Sequence, residues 1–347
     1  MGPTACVNTC SAADRLYLAM DVQRGVQPNC YDCVMRTIEL ALLTLLSSGL
    51  LAAQNAMPKN AAAAPEVFLV GSVHNMHFEE RYHYSLIDLQ VEVWSLHPDV
   101  VCGEITPEAY NGPMEGNFPP EAAMLAEMAP GWGVRFIPAD WRVSFAQMDR
   151  ATRQLSEDKK KSAELDAEEK KATDFFDVFS GLSLYDATNS SAEFLAMVDH
   201  KFEDAIGENT AADIAYGAWH ERNRKIVENC LTEAREARRI VFVFGNAHLP
   251  QLRRQLAARG LTAQIPPRAF TPAGLGAVPP AVIARWQRNL KNLEGIADGT
   301  VAVSADDRAK AKDTNRAPVL RKEIEIYLAR QTTCDGPGAG CSEGPIR

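Results

Sequence analysis

After residue 65 the chain carries four compact apolar runs, and each leads to a residue able to bind a metal or move a proton. Val67–Val73 ends at His74, and Asp99–Gly103 ends at Glu104. Val134–Ala139 ends at Asp140, and Arg239–Phe244 passes through Gly245-Asn246-Ala247 to His248. Short continuous apolar runs of this kind mark strands buried on both faces. Between the first two runs, Tyr82, Leu86, Leu89, Val93 and Leu96 recur at spacings of three and four and predict a helix over 79–96. His97-Pro98 stops it, because proline cannot continue a helix. A second short helix is expected over 120–129. Strand, helix, strand, helix, strand is the rhythm of a parallel sheet with right-handed crossovers.

The next hundred residues break that rhythm. Residues 142–237 carry helical patterns and no convincing strand, and Glu157–Lys171 within them is almost wholly charged and alanine-rich, as a solvated helix would be. A helix with apolar positions Trp219, Ile226, Val227 and Leu231 leads into the fourth run. Leu249–Arg259 is helical again, ended by Gly260, and Thr262–Ile265 reads as a short edge strand. The pattern predicts an α/β fold over 66–265. Its central, mostly parallel sheet is flanked by helices, with a large helical insertion (142–237) between the third and fourth core strands. Residues 266–330 are expected to add peripheral helices, and 331–347 a disordered tail with too few apolar residues to pack.

Composition narrows the partners. With 46% hydrophobic residues among 347, the chain can bury a substantial core. Its net charge is -9 and no basic stripe appears, which disfavours nucleic acid. Met35-Arg36-Thr37, an interrupted apolar stretch from Leu40 to Ala53, and the small-residue exit Gln54-Asn55-Ala56 describe a secretory signal over 35–56. Residues 1–34 do not belong before such a signal and read as an over-extended leader, with Met35 as the initiator. Export to the periplasm or medium follows if translation starts there, with no stable membrane span after the signal is removed. Cys30-Tyr31-Asp32-Cys33 has no second pair at metal-site spacing. Cys102 and Cys230 sit in apolar patterns and read as small buried hydrophobes. Cys334 and Cys341 can close a local disulfide in an exported chain.

The chemistry gathers at the strand ends. In a parallel sheet all carboxyl ends fall on one side, where ligands bind. His74, Glu104, Asp140 and His248 can therefore converge. Imidazole and carboxylate are the ligand set for zinc, manganese or cobalt, and such an ion lowers the pKa of bound water. His74, His248 and Glu104 are the candidate ligands, with His77 a possible addition. Asp140 is equally suited to capping the next helix. Asn246 stands beside His248 as a further candidate. The glycine three residues before each histidine, Gly71 and Gly245, would let the chain turn sharply. On the helix before the fourth strand, Glu221 or Glu104 can serve as general base, and Arg222 can stabilise a developing oxyanion.

The ordered set Gly71-Ser72-Val73-His74, Asp99-Val100-Val101-Cys102-Gly103-Glu104, Glu221-Arg222-Asn223 and Gly245-Asn246-Ala247-His248-Leu249 resembles the TraB/GumN/Tiki superfamily, with its erythromycin-esterase-like and ChaN-like relatives. The resemblance spans about residues 66–265. It departs at Ser72, where many relatives carry threonine or glutamate, and at Ala139-Asp140-Trp141-Arg142, where they often carry a Gly-Asp-Arg-like sequence. One branch implies a manganese- or cobalt-dependent protease using both histidines and the glutamate. Another implies lactone hydrolysis with histidine and glutamate as acid–base groups. The resulting expectation is an exported hydrolase, metal-dependent and acting on peptide bonds. The alternatives are a metal-independent ester or lactone hydrolase, and a non-catalytic binder of peptides or small ligands.

Overall fold

The computed structural model describes residues 64–334. The leader, the signal segment, the Cys30–Cys33 spacing, Cys341 and the tail beyond 334 lie outside the described residues.

Five strands form one all-parallel sheet: β1 (Glu66–Ser72), β2 (Val100–Gly103), β3 (Arg135–Pro138), β4 (Arg239–Gly245) and β5 (Ala263–Gln264), in the order β3-β2-β4-β1-β5. Helices flank it: α1 (Leu86–Ser95), α2 (Pro120–Met128), α3 (Phe145–Glu157), α4 (Lys159–Asp177), α5 (Leu184–Asn189), α6 (Ala192–Asp199), α7 (Ala211–Ala215), α8 (Trp219–Glu233), α9 (Leu249–Ala257), α10 (Pro280–Asp298), α11 (Ala305–Thr314) and α12 (Arg316–Cys334).

Alternate side chains of the strands feed two cores. Val70, Val101, Val241 and Val243 pack against α1, α2, α10 and α12 through Leu89, Leu125, Trp286 and Tyr327. Val67, Leu69, Ile240, Phe242 and Phe244 pack on the other side against Ile226, Val227 and Leu252 of α8 and α9. Burial on both faces explains why the strands read as unbroken apolar runs. A third cluster of Leu165, Phe194, Phe202 and Trp219 supports the helices between β3 and β4.

Several boundaries differ from the sequence reading. The first helix starts at Leu86 rather than 79. His83 takes a left-handed backbone (φ 50°), and Ser85 with Asp88 forms a capping box that begins the helix there. Of the helices expected over 266–330, α11 and α12 are separated at Asn315, also left-handed, and α12 runs to Cys334, into the expected tail. The C-terminal helices are more than a periphery, since Trp286 and Tyr327 are fully buried in the main core. Cys102 and Cys230 are buried, as expected, but they are bonded to each other. This bridge ties β2 to α8 across 128 positions. Closing so long a loop stabilises a chain by about 2–4 kcal/mol. Among the described residues no helix is long and apolar enough to cross a membrane.

Candidate functional site

The strand order fixes the site. β4 lies between β1 and β2 and pairs with both, matching Ser72 to Gly245 and Gly103 to Val243. β1 and β4 are neighbours whose following connections leave in opposite directions along the sheet, towards β2 and β5 respectively. Such a switch point opens a crevice at the carboxyl edge. The residues closing four adjacent strands therefore stand in a row: Asp140, Glu104, His248 and His74. His74, Glu104 and His248 border a cavity of about 520 Å³ whose lining also includes Phe118, Arg142, Trp219, Arg222, Asn246 and Arg316, while Asp140 lies sealed behind it.

Glu104 is the centre. Its Oε2 accepts from the Gly245 backbone N–H at 2.8 Å, and its Oε1 accepts from Arg222 at 2.7 Å and Arg142 at 3.3 Å. Arg222 also donates to both oxygens of Asp140, at 2.7 and 3.0 Å, and Arg142 donates to Asp140 at 2.7 Å. Asp140 also takes the Trp141 N–H and anchors two guanidinium groups; it does not cap the next helix, whose N-cap is Ser144. Burial works against the Glu104 carboxylate. The charges of His74 and Arg222 outweigh it and hold the group well below the usual carboxylate range.

The two imidazoles flank this carboxylate. His74 Nε2 lies 3.7 Å from Oε2, and His248 Nε2 lies 3.9 Å from Oε1. Their outer nitrogens are held differently. Asn223 donates its amide nitrogen to the Trp219 carbonyl at 2.8 Å, which turns its oxygen towards His248 Nδ1 at 2.7 Å. An amide oxygen only accepts, so the His248 proton sits on Nδ1 and the Nε2 lone pair is free. His248 stacks on Trp219 with ring centroids 4.2 Å apart. Burial and the Arg222 charge push its pKa down to about 3, so the ring is neutral near pH 7.

His74 meets the opposite environment. Its Nδ1 donates to Glu121 at 2.6 Å, and Glu121 also accepts the Ser72 hydroxyl at 2.5 Å. Burial alone would lower the His74 pKa, but Glu121 and Glu104 raise it to about 9. Two-fifths of its side chain stays open to the cavity. Its backbone is left-handed at φ 50°, a conformation that costs energy in a non-glycine residue and concentrates at functional positions. Gly245 accommodates it: a Cβ there would come within 2.5 Å of His74 Nε2. Close approach, rather than the expected sharp turn, is therefore the reason for this glycine. The same holds for Gly71, whose Cβ would meet Asn189 at 2.9 Å.

Two sequence candidates sit elsewhere. His77 is buried, accepting the Val73 N–H at 3.2 Å on Nε2 and donating Nδ1–H to the Tyr84 carbonyl at 2.7 Å. Both of its nitrogens are committed to backbone. Glu221 neighbours Arg222 in sequence but pairs with Arg224 on the half-exposed side of α8. Glu121, Arg142 and Trp219 are site residues to which pattern reading gave no role, and Asn223 entered only as the third letter of the Glu221-Arg222-Asn223 motif. Glu121 had one available signal, an acid in the first turn of a proline-started helix, where the helix dipole favours negative charge.

A divalent ion does not fit this donor set. Both oxygens of Glu104 are already taken, one by a backbone N–H and one by two guanidinium groups whose charge repels a cation. Among the described residues no group of three His, Cys, Asp or Glu side chains gathers as ligands would. What the arrangement can do is move protons. One imidazole is held neutral and the other charged, both against one carboxylate, at the wall of a cavity. No protein-family model, no curated protein and no solved structure matches this chain.

Proposed function

We propose that this chain is an exported hydrolase of the TraB/GumN/Tiki kind that cleaves an ester or lactone by general acid–base catalysis. One observation carries the reading: two imidazoles sharing Glu104 have pKa values pushed to opposite sides of neutrality, which is how acid and base roles are divided in a site. His248 takes a proton from water through the free Nε2 lone pair, and the water attacks the carbonyl. His74, already protonated, returns a proton through Nε2 to the leaving oxygen. Glu104 keeps His74 charged and holds the pair in register. Arg142, the more exposed of the two guanidinium groups, faces the developing oxyanion. The Cys102–Cys230 bridge supports export, because such bonds persist in oxidising compartments.

The expected peptidase with a bound ion gives way here to the esterase reading, because its proposed ligands are occupied. The test is turnover of simple esters and lactones by the full chain, with and without a chelator. Turnover that survives exhaustive chelation is expected. Activity that disappears with chelator and returns with manganese or cobalt would overturn the mechanism, and no turnover of any ester would overturn the activity.

The pH profile follows from the same pair. The base must be free of its proton, so activity rises with pH through about 3. The acid must keep its proton, so activity falls as pH rises through about 9. A broad plateau of kcat/KM between these limbs is expected. A narrow bell centred near 6.5 would show that neither imidazole is perturbed.

A further inference from the structure

Behind one ring of the cavity lining stands a cation that the proposed chemistry does not use. Lys310 of α11 is half-buried, with its ammonium 5.1 Å from the centroid of Phe118, a ring that lines the cavity. Arg142 lies 5.4 Å from the same ring centroid. Among the described residues no carboxylate forms an ion pair with Lys310. Asp307, on its own helix, is bound to the Ser304 hydroxyl, and Asp140 is held by two guanidinium groups. Burial and the nearby Arg142 charge lower the Lys310 pKa to about 8, which still leaves it mostly charged at neutral pH.

The charge balance points the same way. Glu104, Asp140 and Glu121 are matched by Arg142, Arg222 and protonated His74, and Arg316 is matched by Glu323 at 3.0 and 2.5 Å. Lys310 feels the charges of Asp307 and Asp140 but, among the described residues, forms no direct ion pair with either. A half-buried ammonium without a direct ion-pair partner is unfavourable, and a bound anion relieves it.

We propose that the substrate carries a carboxylate- or phosphate-sized anionic group, bound by Lys310 beside Phe118, with Arg142 left to the oxyanion. The inference rests on the hydrolase reading for the word substrate, but the anion site itself does not. Two aryl esters of one length separate the ideas: mono-4-nitrophenyl glutarate, with a free carboxylate, and 4-nitrophenyl valerate, with a methyl in its place. The protein is expected to prefer the glutarate ester in kcat/KM by about tenfold or more, the scale of one charge-assisted hydrogen bond. Lys310→Met should abolish that preference, and Lys310→Arg should keep it. Calorimetric titration with glutarate and with inorganic phosphate, for the protein and both variants, reads the site without turnover and separates carboxylate from phosphate. Anion binding lost in Lys310→Met and kept in Lys310→Arg supports the site even if neither ester is cleaved, in which case the hydrolase reading alone falls. Equal treatment of both esters without anion binding, or binding unchanged in Lys310→Met, overturns the proposal.

Discussion

Replacing His248 by glutamine is expected to lower kcat by about 10²–10⁴-fold on every ester tested, the usual worth of a positioned base. Glutamine keeps a polar side chain of similar reach but cannot accept the water proton. The companion change, His74→Gln, behaves differently if the roles are as assigned. An alkyl alcohol needs a proton to leave, so alkyl esters should lose activity on the same scale. A nitrophenolate leaves without one, so a nitrophenyl ester should be spared most of the loss. Kinetics on the two ester types therefore distinguish acid from base within one experiment. A His74→Gln loss that ignores the leaving group would remove the acid assignment, and a His248→Gln variant with unchanged kcat would remove the base. The spared substrate also guards against a trivial reading, because a misfolded His74→Gln would fail on both.

Arg222→Met should be the most destabilising single change at the site. The guanidinium holds Glu104 and Asp140 together, and all three side chains are nearly inaccessible to water. Removing it strands two carboxylates in a buried setting, and losing one partner of a buried ionic cluster costs about 3–5 kcal/mol. That is a large share of the roughly 5–15 kcal/mol that holds a typical domain folded. Urea unfolding monitored by tryptophan fluorescence reads it directly. Arg222→Lys should fall between, since an ammonium keeps the charge but cannot span both carboxylates with a planar fork. A loss below about 1 kcal/mol for Arg222→Met would show that water reaches the two acids and that the cluster is not sealed.

Much of this architecture can be read from sequence because the sheet is parallel and covered on both faces. Runs such as Val67–Val73 and Ile240–Phe244 can only be buried strands, and in a parallel sheet the residues that follow them share an edge. His74, Glu104, Asp140 and His248 come together for that reason. Local pattern fails wherever a side chain's role depends on what reaches it from elsewhere. His77 looks like a second ligand by spacing, yet the chain folds back so that Val73 and Tyr84 occupy both of its nitrogens. Glu221 and Arg222 are adjacent letters but about 100° apart around a helix, so one faces Arg224 and the other enters the core. Glu121 lies 47 positions from His74, and nothing in its own segment announces an imidazole partner. The Cys102–Cys230 bond is equally opaque, because two cysteines in apolar patterns are compatible with either a bond or simple burial. The glycines were visible, but their reason was not: the constraint at Gly245 is the ring of His74, not the backbone angle of a turn.

The placing of β4 has a consequence for how the molecule comes into being. A ribosome delivers β1, β2 and β3 first, and in the finished sheet β1 and β2 never touch, since the fourth strand separates them. The sheet therefore cannot be completed while the helices between β3 and β4 are being made. Only when residues 239–245 emerge can hydrogen bonds close on both sides, joining Glu66 to a partner 173 positions away. The histidines meet in that same act. Until then there is no switch point and no pair of imidazoles, and the site is incomplete before its central strand is home.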